Sequence, residues 1–144
     1  MKIGKLIHNA ARPAGVVALS VAILAGVEAP AHALGCTYRM ICLYDRSNYE
    51  GGSFVTPKDY PDYTPYQFTD GEPLNDNTAS LKNLDENYRW RGFQHKNYGG
   101  WAFHVKRMKE CGEGCIKYSQ WPSLPDTGPN PPKNAISSHN WYKP

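Results

Sequence analysis

Tyr44-Asp45-Arg46-Ser47-Asn48-Tyr49-Glu50-Gly51-Gly52-Ser53 is the stretch from which the rest of the chain can be read. Its skeleton is an aromatic residue, a second aromatic five positions on, a glycine two further and a small residue two beyond that. Forty-nine residues downstream, Phe93, Tyr98, Gly100 and Ala102 stand at the same offsets. A second signature also recurs. Asn75-Asp76-Asn77-Thr78-Ala79-Ser80 is matched by Lys133-Asn134-Ala135-Ile136-Ser137-Ser138. Two signatures in the same order, twice, mean two copies of one structural unit, and such repetition constrains architecture before any single residue is interpreted. Within each copy the aromatic pair is expected to bracket a hairpin and lie over it. The glycine allows a backbone conformation closed to residues with a side chain, and the serine can bond turn backbone.

Working outward, the first 33 residues read as an export leader. Lys2, Lys5 and Arg12 form a positive front, Val16 to Val27 is apolar apart from Ser20, and Ala31-His32-Ala33 is a small-x-small cleavage site. The apolar run is too short to span a bilayer comfortably. Residues 34–144 are expected to form one secreted, extracellular domain, with no membrane contact once the leader is cleaved. The formal charge of the whole chain is +3, of which Lys2, Lys5, Arg12 and Glu28 account for two, so the domain carries about +1. That net charge gives no basic footprint for nucleic acid. All four Trp, ten Tyr and four Phe follow the leader and offer large apolar areas for burial.

Cys36, Cys42, Cys111 and Cys115 also follow the leader. An even count in a small exported chain reads as two disulfides, with three connectivities open. The local pairs, Cys36 with Cys42 and Cys111 with Cys115, are preferred because Gly112 and Gly114 let the second loop fold back. A zinc site is the rival reading, and the spacing suits it poorly.

Short apolar or alternating runs separated by Gly, Pro, Asn and Asp give an all-β pattern. Strands are expected at Ile41 to Tyr44, from Ser53, at Ala79 to Leu84, Tyr88 to Gln94, Trp101 to Val105, near Ile116 to Tyr118, and at Ile136 to Tyr142. Proline-rich connections run from Asp59 to Pro73 and through Pro122 to Pro132. Each copy reads as four strands with one long return, a Greek key, the first at about 36–84 and the second at about 88–142. Two such units packed face to face make a sandwich.

These motifs resemble the βγ-crystallin Greek key, from which the second copy departs at Ala102. The Asn75 and Lys133 segments resemble that family's calcium motif. With the leader and the Cys-x5-Cys opening into Leu43-Tyr44, the domain resembles a secreted peptidase-inhibitor family of actinobacteria, of the metalloproteinase-inhibitor type. The resemblance implies calcium held by oxygens from both motifs, and hard oxygen ligands suit that ion. Asn75, Asp76, Asn77 and Ser137 are retained, whereas Ala79 and Lys133 replace expected ligands. One weak site at most is therefore expected, with a Kd in roughly the 10⁻⁴–10⁻³ M range; the alternative is that these residues only shape turns. No other cofactor is required.

No His-Glu-x-x-His or Gly-x-Ser-x-Gly pattern is present, and His95, His104 and His139 have no evident nucleophile beside them in sequence, so a non-catalytic protein is expected. The inhibitor reading needs a stiff segment that enters an active-site cleft at small entropic cost. Two places qualify: the Cys111-Gly112-Glu113-Gly114-Cys115 loop with Tyr118 and Trp121, and the Tyr60 to Phe68 connection with Tyr60, Tyr63 and Tyr66 as anchors. The partner is then an extracellular peptidase or another secreted or cell-surface protein. The alternative is a secreted binding or adaptor module for protein or glycan, or a toxin component on the same fold.

Overall fold

The computed structural model describes residues 35–110, 119–126 and 133–144. The Cys111–Cys115 loop, the strand expected near residues 116–118 and the leader lie outside them. Among the described residues seven strands follow in order: β1 (Ile41–Tyr44), β2 (Ser53–Thr56), β3 (Ser80–Asn83), β4 (Arg89–His95), β5 (Gly99–Val105), β6 (Gln120–Trp121) and β7 (Ser138–Tyr142). They form two antiparallel sheets, ordered β2-β1-β3-β6 and β5-β4-β7. The fold is all-β, two Greek keys packed as a sandwich.

The hairpins form as the repeat demands. In β1–β2, Tyr44 pairs with Ser53 and Ile41 with Thr56. The tip, Ser47–Tyr49, is a short 3-10 turn, and its counterpart is Lys96–Tyr98. Both tips share one backbone path. Asn48, Tyr49 and Gly51 have φ of 63°, 64° and 77°; Asn97, Tyr98 and Gly100 have 56°, 62° and 76°. A Cβ on Gly51 would sit 1.9 Å from Asp45 Oδ1, so glycine is required there for space as well as for conformation. The aromatic pairs fold over their hairpins, with ring centroids 5.8 Å apart for Tyr44–Tyr49 and 5.4 Å for Phe93–Tyr98.

Two expectations need correction. The Ser53 hydroxyl does not bond the turn; it is buried without a hydrogen-bond partner among the described residues. The closing serine comes instead from the end of the second signature. Ser80 Oγ accepts the Tyr49 N–H at 3.1 Å and donates to the Arg46 carbonyl. Ser138 Oγ accepts the Tyr98 N–H at 3.2 Å and donates to the His95 carbonyl at 2.7 Å. The loss of serine at Ala102 is therefore immaterial to the lock, which is intact in both copies.

Nor does each copy keep four strands to itself. β6 belongs to the second copy yet pairs with β3 of the first, Leu81 opposite Trp121. Reciprocally, Tyr60 of the first copy makes an isolated bridge to His139 on β7. Pro61 and Pro122 then occupy equivalent places: their carbonyls accept the Asn97 and Asn48 N–H groups at the opposite hairpin tips, both at 2.6 Å. Tyr60-Pro61-Asp62-Tyr63 and Trp121-Pro122-Ser123-Leu124 are thus a third repeated element, and Tyr63 and Leu124 both drive into the core. Ile41, Leu43 and Leu81 of the first sheet and Trp90, Phe103 and Val105 of the second share that core with Leu74 and Ile136. Gly92 makes room for Trp90, whose ring would lie 2.5 Å from a Cβ there.

Removing either locking hydroxyl strands a backbone donor and a backbone acceptor. Ser138→Ala is expected to cost about 1–3 kcal/mol in urea unfolding, and Ser80→Ala about the same. Ser53→Ala is expected to change little, and a larger loss there than at Ser138 would refute the lock.

Candidate functional site

The Tyr60 to Phe68 connection is a strap pinned to the second sheet. Tyr60 exchanges two backbone hydrogen bonds with His139, at 2.9 and 2.8 Å, and the Tyr63 N–H donates to the Ser137 carbonyl at 2.9 Å. Beneath it His139 is fully buried. Its Nε2–H donates to the Lys58 carbonyl at 2.8 Å, which leaves Nδ1 to accept the Tyr63 hydroxyl. Burial pushes the His139 pKa down to about 3, against a smaller opposing effect of the Lys58 bond. Burial also raises the Tyr63 hydroxyl well above its ordinary range.

This geometry corrects one anchor. Tyr63 is 0% exposed, its ring in the core and its hydroxyl bonded to His139 Nδ1, and it presents nothing to a partner. Tyr66 is 38% exposed. It stands edge-on to half-buried Tyr60 at 4.8 Å, and Phe54 completes the cluster at 5.1 Å from Tyr60 and 5.9 Å from Tyr66. Three interlocked rings give a stiff apolar contact area with little rotamer entropy to lose. Trp121 is half-buried on β6, edge-on to Phe103 at 5.1 Å, and is chiefly a wedge in the sandwich. Gly112, Glu113, Gly114 and Tyr118 lie outside the described residues, as does the Cys111–Cys115 pairing. The Cys36–Cys42 disulfide is present and ties the segment before β1 to that strand.

Beside the strap opens a cleft of about 450 Å³ lined by Arg39, Pro57, Asp59, Asp85, Tyr88 and Trp141. Asp59 accepts the Trp141 N–H at 2.7 Å, and the Trp141 indole N–H reaches the Lys58 carbonyl at 3.3 Å. Asp85 is spent on the turn that follows it, accepting the Asn87 and Tyr88 N–H groups at 2.6 and 2.7 Å. The lining comes from four separated segments, so no local sequence signal marks it.

The remaining predicted set meets at the other motif. Asp76 adopts a left-handed φ of 53° and Asn134, its counterpart, 62°. The Ser137 hydroxyl lies 2.8 Å from Asp76 Oδ1 and 2.7 Å from the Gln94 carbonyl, and its single proton serves one of them. Asn75 donates to the other Asp76 oxygen at 2.9 Å; Asn77 is half-buried, and no contact of its side chain takes part. Two oxygens, of Asp76 and of the Gln94 carbonyl, thus lie within hydrogen-bond reach of the Ser137 hydroxyl. The equivalent place in the other copy pairs Ala79, fully buried, with Lys133, and no oxygen ligand comes from either side chain. Among the described residues no three His, Cys, Asp or Glu side chains cluster as metal ligands. Of the histidines, His139 is committed to Tyr63 and Lys58, and His104 Nδ1 lies 2.8 Å from the Tyr142 hydroxyl.

Residues 29–105 match the family model of peptidase inhibitor family I36. No curated protein matches the chain. Among solved structures, a βγ-crystallin from an archaeon is 24% identical with a TM-score of 0.51, covering 74% of this chain and 100% of its own. A structure bearing on the evolution of the eye-lens βγ-crystallin domain fold is 21% identical at a TM-score of 0.56, with 76% and 91% covered. A βγ-crystallin from Ciona intestinalis is 16% identical at 0.51, with 72% and 99% covered. At these identities the likeness establishes the fold.

The neutral state of His139 makes stability depend on pH with a definite sign. An unfolded histidine takes up a proton near pH 6.5, whereas His139 in the folded chain does so only at about 3. Its contribution is intact above pH 6.5 and is lost on acidification, at on the order of 1 kcal/mol per pH unit between those values. Urea unfolding from pH 7 to 4 should therefore fall more steeply for the native chain than for His139→Gln; parallel slopes would remove His139 as the cause.

Proposed function

Because the chain belongs to peptidase inhibitor family I36, we propose that it is a secreted, non-catalytic inhibitor of an extracellular peptidase that acts by inserting a loop into the active-site cleft. The family match carries this reading. Export is supported by the leader features of residues 1–33 and by the Cys36–Cys42 disulfide, which belongs to an oxidising compartment. The sandwich supplies a rigid support, and the ring cluster of Phe54, Tyr60 and Tyr66 supplies an anchor that docks beside the cleft. The Cys111–Cys115 segment is the one we assign to entry: a local disulfide between these two cysteines, proposed with it, would limit the entropy lost on binding.

A panel of secreted metallo-, serine and cysteine peptidases titrated with purified protein tests the proposal. One class should lose activity stoichiometrically. Tyr66→Ala should then weaken inhibition about tenfold, the effect of a modest anchor residue. Cys111→Ser with Cys115→Ser should weaken it further without unfolding the sandwich. No inhibition across the panel refutes the reading.

We also propose one weak calcium site at Asp76, Ser137 and the Gln94 carbonyl, with a Kd in roughly the 10⁻⁴–10⁻³ M range. Titration calorimetry of chelator-treated protein should show a single binding event that Asp76→Ala abolishes. No heat at millimolar calcium ends this assignment.

A further inference from the structure

The modest net charge of the domain conceals a segregation between its two copies. Residues 45–86 hold nine carboxylates and three Lys or Arg; residues 89–110 hold six Lys or Arg and one carboxylate, Glu110. The fold places Arg89 and Arg91 of that second set on one surface, with Arg107 next to them through a shared Glu110. Trp90 points into the core from β4, so Arg89 and Arg91 point out. Register places His104 of β5 and Asn140 of β7 on either side of Arg91, and Tyr142 of β7 beside Arg89. The outer face of the β5-β4-β7 sheet is therefore a cationic plane studded with hydrogen-bonding groups.

Its interactions leave much of that charge uncompensated. Glu110 serves both Arg89 and Arg107, at 2.7 and 3.0 Å, so a single carboxylate is shared by two guanidinium groups. Arg91 bonds only a neutral partner, Asn140, at 3.2 Å, and it lies over the rings of Phe93 and Tyr142 at 5.0 and 5.1 Å. No carboxylate reaches Arg91 among the described residues. The pKa of His104 is lowered, first by burial and then by the charges of Arg91 and Arg89. Along β4, Arg89 and Arg91 are two residues apart, hence roughly 6.6 Å. That spacing suits successive charges on an extended polyanion.

We propose that this sheet face binds a linear anionic glycopolymer through the phosphate or carboxylate groups spaced along it. A glycopolymer fits the face better than a nucleic acid. Bases need open aromatic faces for stacking, and those of Phe93 and Tyr142 are covered by Arg91. His104, Asn140 and Tyr142, although bonded to one another or to Arg91, have further donor and acceptor capacity for sugar or polyol hydroxyls. The site is separate from the inhibitory strap, so its existence does not depend on the target peptidase.

Titration of the purified protein with oligogalacturonate and with poly(glycerol phosphate), in parallel with neutral dextran and oligo-dT of equal length, tests this. One or both anionic glycopolymers should bind, and which one does assigns the charged group. About three ionic contacts, from Arg89, Arg91 and Arg107, would make the affinity fall on the order of 20-fold between 0.05 and 0.2 M salt. Arg91→Ala should weaken binding roughly fivefold. Ala102→Glu, at an exposed position beside Phe93, should weaken it at least as much with an unchanged unfolding midpoint. Glu50→Gln on the other copy should have no effect. Failure of both glycopolymers to bind at low salt, tighter binding of oligo-dT, or indifference to Arg91→Ala and Ala102→Glu would each overturn the proposal.

Discussion

Two buried serine hydroxyls hold each hairpin against the strand that closes its Greek key. Ser80 and Ser138 stand at the start of β3 and β7, and each reaches across to a tip whose backbone is forced into left-handed conformations. Such a tip cannot satisfy its own amide and carbonyl groups, and burying them unpaired would be expensive. One hydroxyl both donates and accepts, so it answers both needs with one small side chain. The position of the tip then fixes where the aromatic pair lies, and with it the register of the hairpin behind. The strap and the cationic face both inherit their geometry from this closure.

The two surfaces with functional promise differ in how they are built. The strap is made rigid from beneath: Tyr63 and His139 are consumed in a buried bond, so Tyr66 can stand exposed without loosening the segment. The cationic face is made rigid in plane, because a β-sheet sets its residues on a regular lattice. Arg91 is held there by rings rather than by a carboxylate. That arrangement keeps the positive field available instead of cancelling it.

Much of the fold was legible because the repeat is local. The spacing from Tyr44 to Ser53, the alternation of Trp101, Phe103 and Val105, and the short Cys36–Cys42 loop each report on neighbours in sequence. What escaped depends on distance. Tyr63 reads as a surface tyrosine between prolines, and only the arrival of His139 from 76 residues away makes it a core residue. The Tyr60-Pro61 and Trp121-Pro122 correspondence is visible once sought, but its residues differ in identity and its role is a pairing across copies. The cleft at Trp141 needs four segments to exist. The charge segregation was present in the sequence and hidden by its total, since a net value near zero says nothing of where the charges sit.

The reciprocal loan of β6 and Tyr60 has a further consequence. A solitary ancestral copy would expose an unfilled sheet edge and half an interior, and could remedy both only by clasping a twin. Gene duplication and fusion would then have turned an intermolecular arm exchange into the present intramolecular one. On that history the exchange of arms between the copies is the fossil of a dimer. The divergence of its halves, acidic on one side and basic on the other, became possible once the two arms were no longer obliged to be identical.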